Sequence, residues 1–182
     1  MQFFSSFRIL AWLTPLCCLW VLTCEAAPAT SAEVRSELVR QTVLDILSYT
    51  RWPSEPARLR LCVAAPTEYA ASLLTIRQQA NGRPVDVHRY EVDDEALIQR
   101  CDVIYLGVLT PEQRLSLFER LRGYAILSIS EQSRECIADA VFCLQARKER
   151  VRFRVNLDAL ARSGVRVHPA VLKLARADED AR

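Results

Sequence analysis

Residues 102–112, Asp102-Val103-Ile104-Tyr105-Leu106-Gly107-Val108-Leu109-Thr110-Pro111-Glu112, decide the fold. Val103 to Leu106 are apolar without alternation, the pattern of a strand buried on both faces. Thr110-Pro111-Glu112 then starts a helix: a capping hydroxyl, a Pro where the missing N–H costs nothing, and an acid near the positive end of the helix dipole. That helix is expected to carry Leu115, Phe118 and Leu121 and to end at Gly123. A doubly buried strand leading straight into a helix is the core of a βαβ unit.

Upstream, the same alternation is legible. Thr30 or Ser31 caps a helix bearing Val34, Leu38, Val39 or Val43, Ile46 and Leu47 up to about Ser48. Pro53 and Pro56 end it, because the residue before a Pro is pushed toward extended geometry. Leu59 to Ala65 reads as a strand, and Thr67 as the cap of a helix running through Tyr69, Leu73, Leu74 and Ile76 to about Gln79. Asn81-Gly82-Arg83-Pro84 is a turn. Val85 to Tyr90 alternates as a strand, and Asp93-Asp94-Glu95 opens a short helix ending near Arg100.

Downstream, Tyr124 to Ile129 is a further strand, after which the pattern changes. Val141 to Leu144 and Val151 to Val155 flank Arg147-Lys148-Glu149-Arg150 and read as a β-hairpin. Asn156 caps a helix with Leu157, Leu160 and Ala161 that ends at Gly164. Pro169 to Ala175 is a last helix, and Ala177 to Arg182 a solvated tail. The expected fold is α/β: a three-layer sandwich with a mostly parallel sheet, helices on both faces, and a C-terminal β-hairpin with helices.

The N-terminus reads as a targeting segment. Arg8 precedes an apolar run from Ile9 to Thr23, and Ala27-Pro28-Ala29 offers the small side chains a signal peptidase reads. The run is about fifteen residues, short of the roughly 20 that span a bilayer. An uncleaved anchor fits less well, and Thr23 is a poor residue before a lipidated Cys24. Residues 1–29 are therefore read as a signal peptide and 30–182 as one domain. Export to the periplasm follows.

Cleavage would remove Arg8 and Glu25 and leave the formal net charge at +2, which gives no electrostatic case for nucleic acid. Of seven Cys, three lie in the leader, leaving Cys62, Cys101, Cys136 and Cys143. Four in an oxidising compartment suggest two disulfides with three possible pairings. Cys62 lies on the first predicted strand and Cys101 just before the third. If those strands are neighbours, in the order 2-1-3, the two thiols come within bonding reach. Cys136 and Cys143 flank one short connection. The spacing Cys136-x6-Cys143 is too wide for a zinc knuckle, so no metal is expected.

No constellation for catalysis emerges. Gly occurs only at 82, 107, 123 and 164, which leaves no phosphate-cradling loop, and there is no C-x-x-C. His88 and His168 lack a nucleophile at recognisable spacing. No catalytic residue and no cofactor is expected.

Two segments suggest recognition. Tyr49-Thr50-Arg51-Trp52-Pro53 combines aromatics with Arg, types enriched at interfaces; the plainer reading puts Trp52 over the core. The stretch from Leu157 through Leu160, Val165 and Val167 to Leu172 packs on the sheet by default, and a protein-binding edge is the sharper idea. A second functional class, a small-molecule sensor, would use the crevice at the carboxyl ends of the strands, lined by the loops after Ala65 and Gly107.

Several landmarks occur together and in order: Tyr49-Thr50-Arg51-Trp52-Pro53, Leu61-Cys62, Cys101-Asp102, Glu131-Gln132, Glu135-Cys136, Cys143, Val151-Arg152-Phe153, Val155 to Leu160, and Arg162-Ser163-Gly164-Val165. They span nearly all of residues 30–182, and the chain resembles the YfiR family. The resemblance implies a periplasmic, non-enzymatic repressor. It would bind the periplasmic domain of an inner-membrane diguanylate cyclase (YfiN-like) and hold down cyclic-di-GMP synthesis and biofilm formation. It also implies sequestration by an OmpA-like outer-membrane lipoprotein (YfiB-like), a homodimer, and the pairs Cys62–Cys101 and Cys136–Cys143. The cyclase-facing residues are expected among Arg51, Trp52, Leu157, Leu160, Val165, Val167 and Leu172.

Overall fold

The computed structural model describes residues 29–64, 66–131, 140–147 and 150–173. Residues 1–28 of the expected leader, Cys136, the tip of the hairpin and the tail after Lys173 lie outside the described residues. Helix α1 (Ser31–Ser48) opens with the expected cap: Thr30 Oγ1 accepts from the Glu33 N–H, and the Glu33 carboxylate accepts from the Thr30 N–H. Strands β1 (Thr50–Arg51), β2 (Leu59–Ala64) and β3 (Val85–Tyr90) follow, then α2 (Ala96–Arg100) and β4 (Val103–Leu106). Next come α3 (Pro111–Leu121), β5 (Leu127–Ser130), β6 (Phe142–Ala146), β7 (Val151–Val155), α4 (Leu157–Arg162) and β8 (Arg166–Val167).

The main sheet has the order β3-β2-β4-β5-β6-β7 and is parallel except for the β6–β7 hairpin. Side-chain parity divides the core into two layers. Leu59, Leu61, Val63, Val103, Tyr105, Leu127 and Ile129 point to the side where α1 lays down Val39, Val43, Ile46 and Leu47. The alternate residues Cys62, Ala64, Ile104 and Leu106 meet Leu97 of α2 and Leu117 and Leu121 of α3 on the other side. This is the expected three-layer α/β fold, with the first three main-sheet strands in the order 2-1-3.

Three details depart from expectation. The helix expected from Thr67 to Gln79 is one 3₁₀ turn, Ala71–Thr75. Ser36 Oγ donates to the Tyr69 carbonyl and accepts from the Ser72 N–H, so groups an α-helix would use are taken by α1. Leu73 N–H consequently bonds to Ala70 O, the 3₁₀ spacing, and Val85 N–H draws Arg77 O into the next turn. In α3 the core-facing pair is Leu117 and Leu121, whereas Leu115 is 62% exposed. The strand expected from Tyr124 starts at Leu127, because Gly123 (φ +87°) and the bond from Ile126 N–H to Tyr124 O hold a tight turn first.

Candidate functional site

One hub ties the start of the domain to the middle of the sheet. Cys62 and Cys101 form a disulfide with Cα atoms 5.8 Å apart. The neighbouring Asp102 carboxylate accepts from the Arg60 backbone N–H at 2.8 Å and from the Arg60 guanidinium at 3.0 and 2.7 Å. This partner raises the Arg60 pKa further above its ordinary value. Trp52 is only 5% exposed, and its indole N–H donates to the Asp102 carbonyl at 3.1 Å. Trp52 is thus a core residue that locks the segment after α1 onto β4. Cys143 is also disulfide-bonded.

The crevice where doubly wound sheets usually take ligands lies between the loops after β2 and β4. Here the chain's own backbone fills it. Gly107 N–H donates to Ala64 O at 3.1 Å and Val108 N–H to Pro66 O at 3.0 Å. A Cβ on Gly107 would stand 1.9 Å from Pro66 O. Beside this contact Glu131, 3% exposed, accepts from the N–H groups of Glu68 (2.6 Å) and Tyr69 (3.2 Å) and from the Tyr105 hydroxyl (2.9 Å). Burial raises the Glu131 pKa, although these three donors oppose the shift. Burial, and next to it the Glu131 charge, also raise the Tyr105 phenol. Sequence reading used Glu131 only as a landmark of the family resemblance and gave it no site role; its structural signal is a carboxylate directly after a buried apolar strand.

The C-terminal segment forms a second feature. β1 pairs antiparallel with β8, Thr50 opposite Val167 and Arg51 opposite Arg166, and His168 N–H donates to Tyr49 O. This two-residue ladder brings the two sequence-selected segments together. Asn156 caps α4 through the Ala159 N–H, and Gly164 (φ +70°) turns the chain into β8. Ala159, Val165 and Val171 face the core. Leu160, Val167 and Leu172 are half-buried at its margin, while Leu157 is 63% exposed. Of the selected residues, then, Arg51 and Leu157 are open to solvent and Leu160, Val167 and Leu172 partly so. Trp52 and Val165 are turned inward, so the packing reading describes them.

The histidines are separated. His88 is exposed on β3, opposite Cys62 in the ladder, and His168 Nδ1 accepts from the Ala170 N–H. Among the described residues, no three His, Cys, Asp or Glu side chains gather to hold a metal ion.

These features define a disulfide-bonded, doubly wound α/β domain with a closed switch-point crevice and a C-terminal segment whose Leu157 is open to solvent. A family model described as YfiR/HmsC-like matches residues 36–176, and the chain belongs to that family.

Proposed function

We propose that this chain is an exported, non-enzymatic regulator that binds the periplasmic part of an inner-membrane diguanylate cyclase and favours its inactive state. Such a protein acts through differential affinity for two receptor states and needs no catalytic group. Cyclic-di-GMP synthesis and biofilm formation fall while the complex holds. An OmpA-like outer-membrane lipoprotein relieves the repression by competing for the regulator, which works as a homodimer.

Membership in the YfiR/HmsC-like family carries this reading. The docking surface is assigned to Arg51, Leu157, Leu160, Val167 and Leu172. An exposed Leu beside partly covered aliphatic side chains, with an Arg at the edge, has the anatomy of an interface centre. The sealed crevice between Pro66 and Gly107 counts against a metabolite sensor at that point.

The test is cross-linking of the purified, oxidised protein to the periplasmic part of the co-expressed cyclase, together with cellular cyclic-di-GMP. Deletion of the gene is expected to raise cyclic-di-GMP. Leu157→Glu is expected to reproduce that rise and lose the cross-link while melting like the parent. Unchanged cyclic-di-GMP on deletion overturns the reading.

A further inference from the structure

We infer that the groove between α3 and α4 is a binding site for a small organic monoanion, a carboxylate carried on a single ring or a short branched chain. The groove encloses about 160 Å³. A cavity of about 150 Å³ accommodates a benzene ring, so the space suits one ring and not an extended molecule. Phe118, Leu121, Ile126 and Val141 supply its apolar walls.

The polar groups on it are mostly donors without acceptors. Ser128 lies on the groove, is 3% exposed, and points to the α3 side of the sheet because its neighbours Leu127 and Ile129 point to α1. Its Oγ accepts from the Val141 N–H at 3.0 Å, while its own proton meets no acceptor among the described residues. A buried hydroxyl with an idle proton invites an acceptor atom. Arg122 and Arg162 also line the groove. Both are exposed, and among the described residues neither guanidinium makes a hydrogen bond or ion pair, although the Arg122 backbone N–H bonds to Glu119 O. Arg40, Arg58, Arg60 and Arg83, by contrast, each rest on a carboxylate.

Among the described residues Glu119 is the one carboxylate on the lining. Against two guanidiniums it leaves one positive charge in excess, which matches a monoanion and disfavours a dianion. Neither Arg122 nor Arg162 belongs to the proposed cyclase surface, so this inference stands or falls independently of the regulator reading.

The experiment is an amide and methyl NMR titration of the labelled protein, purified as the cell delivers it. The probes are phenylacetate, its neutral analogue phenylacetamide, and phenyl phosphate. Phenylacetate is expected to saturate in the millimolar range, with shifts centred on Phe118, Tyr124 and Ser128. It should bind at least tenfold tighter than the amide, and tighter than the phosphate. Arg122→Gln and Arg162→Gln should each weaken it about tenfold, the scale of one hydrogen bond to a charged group. The parent melting temperature in both variants excludes an indirect effect. The inference is overturned by equal binding of acid and amide, by shifts centred elsewhere, or by parental affinity in the double variant. Preference for the phosphate, or no saturable shift with any probe, overturns it equally.

Discussion

Glu131 gathers two backbone N–H groups and a phenol around one carboxylate that water barely reaches. Its pKa in the folded protein lies above the ordinary carboxylate value, with burial as the main cause. The sign of the linkage follows. The group's contribution to stability is fully present below the unfolded pKa and is lost as pH rises through the raised folded value. Glu131→Gln, which does not titrate, should therefore flatten the denaturation midpoint against pH in that window; an unchanged profile would refute the assignment. Gly107 is the second decisive residue. Alanine there meets the Pro66 carbonyl, a backbone atom that cannot swing aside. Gly107→Ala is expected to cost about 3 kcal/mol or more in urea denaturation, the scale of severe overpacking.

Among the elements, the Cys62–Cys101 bond staples β2 to the end of α2, two residues before β4, across 39 positions. The chain-entropy relation gives about 4 kcal/mol for a closed loop of that length. A Cys62→Ala/Cys101→Ala variant should lose a comparable amount of unfolding free energy in denaturant titration. Elements signalled by local chemistry were legible in the sequence. Thr30 with Glu33, and Thr110-Pro111 with Gln113, are reciprocal caps written in adjacent residues, and both helices begin there. Elements governed by distant partners were not. The 3₁₀ turn at Ala71–Thr75 depends on a hydroxyl of α1 some 33 positions away from Tyr69, and the β1–β8 ladder joins two dipeptides at opposite ends of the domain. The outward turn of Leu115 was also hidden, since a Leu three residues before Phe118 fits a helical stripe as well as Leu117 does.

At the scale of the whole molecule, the alternation of strands and helices made the layers readable, whereas the 2-1-3 order that brings Cys62 to Cys101 stood in the sequence only as a condition and is met in the sheet. The candidate surface was half legible: composition picked out the C-terminal aliphatic residues, but only packing separates those facing in from those facing out. That separation gives a paired prediction. Val165→Glu buries a charge and should lower the melting temperature sharply, by about 4 °C for each kcal/mol lost in a domain of this size. Leu157→Glu should leave melting unchanged and act on the partner alone. Equal loss of stability in both would contradict the inward and outward assignment.

The contact between Gly107 and Pro66 reaches beyond local stability. Many sheets of this architecture receive cofactors through their upper rim, yet here two neighbouring loops are bolted together across that doorway. The partner surface and the ligand groove proposed above lie instead on the flanks, at helices α3 and α4. Anyone grafting a cofactor onto this scaffold would have to lengthen one of those loops before any new side chain could find room.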